Sequence, residues 1–347
     1  MKVLLVSPLP PPSGGMATWT STYAKYASDN GLDARILNSA ISVKRAQRKN
    51  RSMTILDEFI RSVKLMKGIT RYIYQFTPDI IHISSPCTNR GLIRDWLCIS
   101  LIKNIPVVFH CHCNVEDQAN TKVGMFFLNR IVKKVARVIV LNKSSRKVID
   151  EIEQNKSIII PNYIESPGKH EHIQINDSIH TIVFAGHVNR NKGIDEIVSV
   201  ADAFPEIVFD ILGPVQELPL KQSIPENVHL IGEVSHQEVL SRMAKSDLFL
   251  FPSYTEGFSY VMLEAMATGL PIIATNVGAN RDMIEEDGGV IVDVRSVDQI
   301  KEAIKYLSSS KKRDAISKWN IKKVESTYDI KIVMGHIIKL YQEVRNT

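Results

Sequence analysis

No stretch of eighteen or more consecutive apolar residues occurs in the 347-residue chain, so no segment is expected to cross a bilayer as a helix. The amino terminus, MKVLLVSPLP, has one Lys and a short apolar run broken by Pro8. A secretory signal needs a longer apolar region and a small-residue cleavage site, so this segment reads as a first buried strand. Without an export signal, the four cysteines are expected to be reduced and the chain cytoplasmic. There is no internal repeat and no low-complexity tract. The loop after the first strand lacks the GxGxxG spacing of dinucleotide-binding dehydrogenases.

A hydrophobic fraction of 44% with 23% charged residues indicates a packed, folded chain. Its length suits two domains of about 150 residues. The net charge of +6 is unevenly divided. Residues 1–170 hold 25 Lys and Arg against 12 Asp and Glu, and the remainder 18 against 25. A basic first half facing an anionic surface or polymer is the natural reading.

Apolar runs of strand length alternate with helical-period stretches: Lys2–Ser7, Ala34–Asn38, Ile80–Ser84, Val107–His112, Val138–Leu141 and Ser157–Ile160, with a helix over Ile55–Gln75. After a polar stretch from Glu165 to Ser178 the alternation restarts with Thr181–Ala185, Val208–Leu212, Val228–Ile231, Leu248–Phe251, Ile272–Ala274 and Val290–Val292. Alternation of this kind predicts α/β architecture with parallel sheets covered on both faces. The expected organisation is a first domain over 1–165, a linker over 166–178 and a second domain over 179–328. A final helix within 329–347 is expected to be able to pack back on the first domain.

Ligands of open α/β sheets bind beyond the carboxyl ends of the strands. The strand Leu248–Phe251 runs into Pro252-Ser-Tyr-Thr-Glu256-Gly257-Phe258-Ser259-Tyr260-Val-Met-Leu-Glu264, where a helix should begin. Gly257 would allow a tight turn. The amides of Phe258, Ser259 and Tyr260 would then open the helix as an anion site suited to a diphosphate. Glu264, its side chain leaning back toward the helix start, is placed for ribose hydroxyls. Glu256 is placed for hydroxyls of a transferred sugar. In the first half, Gly14 and Gly15 follow the first strand and allow a ligand to approach the backbone closely.

The segment around Glu256 and Glu264 resembles the signature of the family-4 retaining glycosyltransferases. The glutamates share the spacing, and EGF, EAM, GLPIIAT and GANRDMIE all match, as does Lys192-Gly193-Ile194-Asp195. The resemblance runs from about Gly186 to Ile300 and is weaker in the first half. It implies the GT-B fold, two Rossmann-like domains whose sheets face each other across a cleft. It further implies transfer of a sugar from a nucleotide-diphosphate donor to a glycan or lipid-linked glycan acceptor with retention of configuration. By the resemblance Glu256 touches the donor sugar, Glu264 the ribose, and Lys192 the diphosphate, while the Gly14–Gly15 loop lies against phosphates and acceptor. The family places an Arg where this chain has His187, leaving Arg190 or His187 to supply that contact. Tyr163, after Asn162, replaces a family glycine. No Asp or Glu is placed as a nucleophile on the opposite sugar face. Front-side displacement without a metal or other cofactor is therefore expected. A non-catalytic nucleotide-sugar-binding protein on a degenerate fold is the alternative, resting on His187, and an epimerase or phosphorylase on the same architecture is a further one.

His110-Cys111-His112-Cys113 invites a metal reading, but strand alternation sends the histidines to one face and the cysteines to the other. The four therefore cannot surround one ion, no CxxC or HxxxH pair lies nearby, and Cys111 and Cys113 read as buried fillers. The resemblance implies a histidine near the transferred sugar: His112, nearer the strand end, or otherwise His110.

Basic residues gather at Lys44, Arg45, Arg48, Lys49 and Arg51, at Arg61, Lys64, Lys67 and Arg71, and at Lys122, Arg130, Lys133, Lys134 and Arg137 around Val123–Leu128. Basic side chains beside apolar ones suit an anionic membrane surface. They lack the recurring aromatics of a nucleic-acid stacking platform, so no nucleic acid is expected.

Overall fold

The computed structural model describes residues 1–11, 14–40, 55–165, 175–219 and 223–346. Lys44, Arg45, Arg48, Lys49, Arg51 and most of the linker reading lie outside these. The chain divides into two compact units: residues 1–162 together with 333–347, and residues 163–332.

The first unit contains one parallel sheet of six strands: β1 (Lys2–Ser7), β2 (Asp33–Asn38), β3 (Ile80–Ser85), β4 (Val107–Cys111), β5 (Arg137–Val140) and β6 (Ser157–Ile159). Their order is β2-β1-β3-β4-β5-β6. Val3 to Val6 and all of β3 and β4 are buried, as continuous apolar strands must be when helices cover both faces. Leu4, Val6, Ile81, Ile83, Phe109, Val138 and Val140 pack against Leu65, Ile69, Leu92, Ile99 and Ile131 from the flanking helices Ile55–Phe76, Asn89–Ser100 and Lys122–Lys134. Thr88 and Thr121 cap the last two of these, each side chain accepting from an amide three residues on. The last helix, Ile330–Arg345, buries Val333, Met334, Ile337, Leu340, Tyr341 and Val344, and from Val333 it groups with this unit.

The second unit holds β7 (Thr181–Ala185), β8 (Val208–Leu212), β9 (Val228–Gly232), β10 (Leu248–Phe251), β11 (Ile272–Thr275) and β12 (Gly289–Val292), also parallel. Their order is β12-β11-β10-β7-β8-β9. The order in which successive strands are added therefore reverses between β7 and β10, the arrangement of a dinucleotide-binding sheet, whose ligand crevice lies beyond the ends of those two strands. The helix His236–Lys245 opens on Ser235, whose Oγ accepts from the Glu238 amide at 3.2 Å.

Candidate active site

The loops after β7 and β10 are the ones that hold the sequence-predicted donor residues, and their backbones are tied together. Beyond β7, Asn189 caps a short turn over Arg190–Lys192, its Oδ1 accepting from the Lys192 amide at 3.1 Å. The next residue, Gly193, has φ +79°, and a Cβ there would lie 2.4 Å from the carbonyl oxygen of Pro252, directly after β10. The Tyr254 amide donates to the Asn191 carbonyl at 2.8 Å. This close approach brings the Lys192 ammonium onto the Glu256 carboxylate as an ion pair, with both side chains largely covered, and places it over the Phe251 ring at 5.6 Å. Lys192 and Glu256, expected to serve phosphate and sugar, are thus direct neighbours.

Gly257 lies in a bend, as expected of it, but without left-handed backbone. The left-handed residue at this turn is Gly278, at φ +53°, where a Cβ would sit 2.1 Å from the Glu256 carbonyl oxygen. The Ala279 amide then donates to the Gly257 carbonyl at 3.0 Å, so the GANRDMIE segment supports the glutamate loop from below. The helix begins later than expected. It spans Tyr260–Ala267, and Ser259 is its cap, with Oγ accepting from the Met262 amide at 3.4 Å. Tyr260 and Val261 are therefore the opening amides without an intrahelical partner. Phe258 is buried and meets the Tyr328 ring edge-on at 5.8 Å.

Glu264 lies on that helix with 16% of its side chain exposed, bonded to His236 Nε2 at 2.9 Å. Burial raises its carboxyl above the ordinary range, and His236 partly offsets this. The neighbouring Tyr260 hydroxyl is buried, without a hydrogen-bond partner, and also pushed up by burial. His236 was not singled out from the sequence, where it reads only as the first residue of a helix.

His187 and Arg190 are both exposed. His187 has one of its two ring nitrogens engaged. Gln216 accepts from Asn189 Nδ2 through its Oε1 at 2.9 Å, which directs its amide nitrogen to His187 Nδ1 at 2.6 Å. Nδ1 is the acceptor of that bond, so the proton resides on Nε2 and only that atom remains for a ligand. Arg190 faces Asp195 at 3.8 Å and its amide donates to Glu217 at 3.1 Å.

In the first unit, Gly14 precedes the helix Gly15–Asp29 in extended backbone, and a Cβ there would meet nothing within 4 Å. The fold therefore does not require glycine at this position. His110 is fully buried on β4, and His112, one residue past the strand's end, is half-buried with its amide donating to the Ser85 carbonyl at 2.8 Å. The two rings stack at 3.8 Å. Burial pushes His112 and His82 of β3 down to about 3 and His110 well below its ordinary value, so all three are neutral at pH 7. Trp19 packs on all three at 5.0 to 5.6 Å. Cys111 and Cys113 lie against Cys87, and their interaction with it lowers the Cys87 thiol below its ordinary value. Among the described residues no group of three or more His, Cys, Asp or Glu is placed to hold a metal ion.

On the surface of this unit Phe59 (64% exposed), Ile60, Tyr74 (80%), Val123 and Phe126 stand among exposed Lys64, Lys67, Arg71, Lys122 and Lys133. A groove lined by Val63, Met66, Lys67, Thr70, Arg71, Tyr74 and Leu101 runs along the helix Ile55–Phe76. One member of the expected basic clusters and one of the apolar stretch do not face outward: Arg61 turns inward to the Ser39 carbonyl and Glu58, and Leu128 is buried.

A dinucleotide-type sheet with a cation, two carboxylates and a helix start at its switch point, in a chain that also holds a second parallel α/β unit, defines the architecture of a GT-B glycosyltransferase. Residues 13–166 match the sequence profile of Glycosyltransferase Family 4, and residues 166–323 that of Glycosyl transferases group 1. The chain belongs to the glycosyltransferases built from these two domains. It is similar to an uncharacterized glycosyltransferase of Methanocaldococcus jannaschii, 24% identical over 99% of both chains. It is also similar to a putative teichuronic acid biosynthesis glycosyltransferase of Bacillus subtilis, 30% identical over 35% of this chain and 31% of that protein. Among solved structures, the Anabaena protein HepE in complex with UDP and glucose superposes with a TM-score of 0.73 at 15% identity, over 99% of both chains.

Proposed function

We propose that this glycosyltransferase moves a hexose or N-acetylhexosamine, with retention of anomeric configuration, from a nucleoside-diphosphate sugar to a glycan or lipid-linked glycan in cell-surface polysaccharide synthesis. The observation that carries the donor half of this reading is the Lys192–Glu256 pair, set beside the Ser259-capped helix that also bears Glu264. A diphosphate at the opening amides of Tyr260 and Val261 would take Lys192 as its counter-cation. His187 Nε2–H and Arg190 would add donors. Glu264 would accept from ribose hydroxyls and Glu256 from those of the sugar, and on the first unit His112 remains the candidate for the reacting sugar. With no carboxylate assigned as nucleophile, the departing diphosphate oxygen would take the acceptor's proton as the new bond forms on the same face. These fixed positive groups would do the work of a metal ion at the leaving group.

The HepE complex, which contains glucose with UDP, supports the donor half, and the teichuronic acid relative supports the acceptor half. The apolar and basic surface of the first unit suits an anionic leaflet, and we place the enzyme there, peripheral to the cytoplasmic face. The position occupied by His187 favours one other reading, a nucleotide-sugar-binding protein without turnover. Incubation with labelled UDP-, GDP- and ADP-sugars tests both. Transfer to glycan or slow donor hydrolysis, with the product's anomeric coupling matching the donor's, supports the enzyme. Binding without release of nucleoside diphosphate supports the other reading, and an inverted anomer overturns the retaining mechanism.

A further inference from the structure

Beneath the His110–His112 stack runs a buried chain of hydrogen bonds that reaches the far end of the sequence. Tyr341, on the last helix, has its hydroxyl 2.5 Å from His82 Nδ1. His82 Nε2 lies 3.2 Å from His110 Nδ1, and Tyr23 Oη lies 3.3 Å from Tyr341 Oη. All four side chains are fully buried. The chain ends at His110 Nε2, buried without a hydrogen-bond partner, against the ring of His112, whose Nε2 is also buried and unpartnered.

A neutral imidazole has one donor and one acceptor nitrogen, so the direction of the first bond sets every bond after it. A phenol is a stronger acid than an imidazole N–H, and an imidazole nitrogen a stronger acceptor than a phenol oxygen. Tyr341 therefore donates to His82 Nδ1, His82 carries its proton on Nε2 and donates to His110 Nδ1, and the His110 proton is left on Nε2. The reverse chain would leave a bare lone pair at that atom. Native folds rarely tolerate buried polar atoms without partners, which marks these two imidazole edges as having a use outside the core.

We propose that Tyr341, acting through His82, is a positioning residue that fixes His110 as its Nε2–H tautomer and so sets the hydrogen-bonding pattern of the His110–His112 pair. Its functional consequence rests on the reading that His112 lies at the reacting sugar. The assignment of Tyr341 links the last helix to that pair in a way its packing alone does not.

Imidazole nitrogen spectra of the full chain, labelled with ¹⁵N-histidine, test the relay without reference to activity. His82 and His110 are expected to be Nε2-protonated, neutral and single-tautomer in the native protein and in Tyr23→Phe, which removes a hydroxyl upstream of the Tyr341 bond. In Tyr341→Phe the His110 signal is expected to become a mixture of tautomers. Turnover should then fall about tenfold with donor KM unchanged, whereas Tyr23→Phe stays within about twofold. His110 protonated on Nδ1 in the native protein overturns the proposal, and that spectrum needs no variant to fold. A single Nε2–H tautomer surviving in Tyr341→Phe, or equal turnover losses in the two Phe variants, also overturns it. Absence of turnover with every donor would count against the transferase reading and leave the spectra to decide the relay.

Discussion

Replacing Glu264 by Gln separates stability from binding. The carboxyl is mostly buried, its hydrogen-bond partner His236 is 69% exposed, and burial holds its pKa above the ordinary carboxylate range. A raised folded-state pKa means that stability present below the unfolded value is lost as pH rises through the folded one. At pH 7 the ionised side chain is therefore a net cost to the fold. Gln keeps the shape and one acceptor and removes that cost, so the thermal midpoint should hold or rise. The same change should weaken binding of a nucleoside diphosphate. A hydrogen bond to a charged group contributes about 1.5–3 kcal/mol, which corresponds to roughly ten- to 150-fold in Kd. Calorimetry gives the affinity, and thermal unfolding without nucleotide gives the stability. Unchanged affinity would refute the ribose assignment, and a loss of more than about 1 kcal/mol in stability would refute the electrostatic argument.

Lys192→Ala should lower turnover roughly a hundredfold or more, as loss of a preorganised charge does. Glu256→Gln, which frees Lys192 from its ion pair, should lower turnover while nucleotide affinity holds or improves, and a Kd raised as much as kcat falls would contradict that pairing. Alanine at His112 should cost turnover with little stability, and alanine at fully buried His110 should cost both, as steady-state rates and urea midpoints will show. The buried histidines have depressed folded pKa values, so the stability they contribute is present above their ordinary pKa and is lost as pH falls toward about 3. At pH 5.5 each should withdraw about 1.4 kcal/mol, measurable by denaturant titration at pH 7.5 and 5.5 and absent if these residues are not buried neutral. Liposomes with anionic lipid should retain the protein in a salt-sensitive way, at about 1 kcal/mol per basic residue, and the Lys67, Arg71, Lys122 and Lys133 to Glu variant should not bind. Equal retention by neutral vesicles would remove this surface from the account.

The architecture was legible because buried parallel strands announce themselves as apolar runs. Lys2–Ser7, Thr181–Ala185, Val208–Leu212 and Leu248–Phe251 are strands with the bounds read from sequence, and elsewhere the ends move by a residue or two. The position of Glu256 on the loop after such a strand, and of Glu264 on the helix that follows, was legible too. Neighbourhood across the chain was harder to see. Nothing local shows that Asn191 binds the loop after β10, or that Gly278 supports Glu256. Ser259 was read as an amide donor because its role as a cap depends on where the helix begins. His82 left a faint trace, a polar residue inside the apolar run Ile80–Ile83. Its partner Tyr341 is 259 residues away and left none.

The central claim is that the second unit binds a nucleoside diphosphate through Lys192 and Glu264. Isothermal titration of UDP, GDP and ADP into the native protein and into a Lys192→Ala, Glu264→Ala double variant tests it most directly. The account predicts saturable binding of one of the three, lost in the double variant while its thermal midpoint is retained. Equal affinity in both proteins, or no binding of any nucleotide to the native chain, would contradict it.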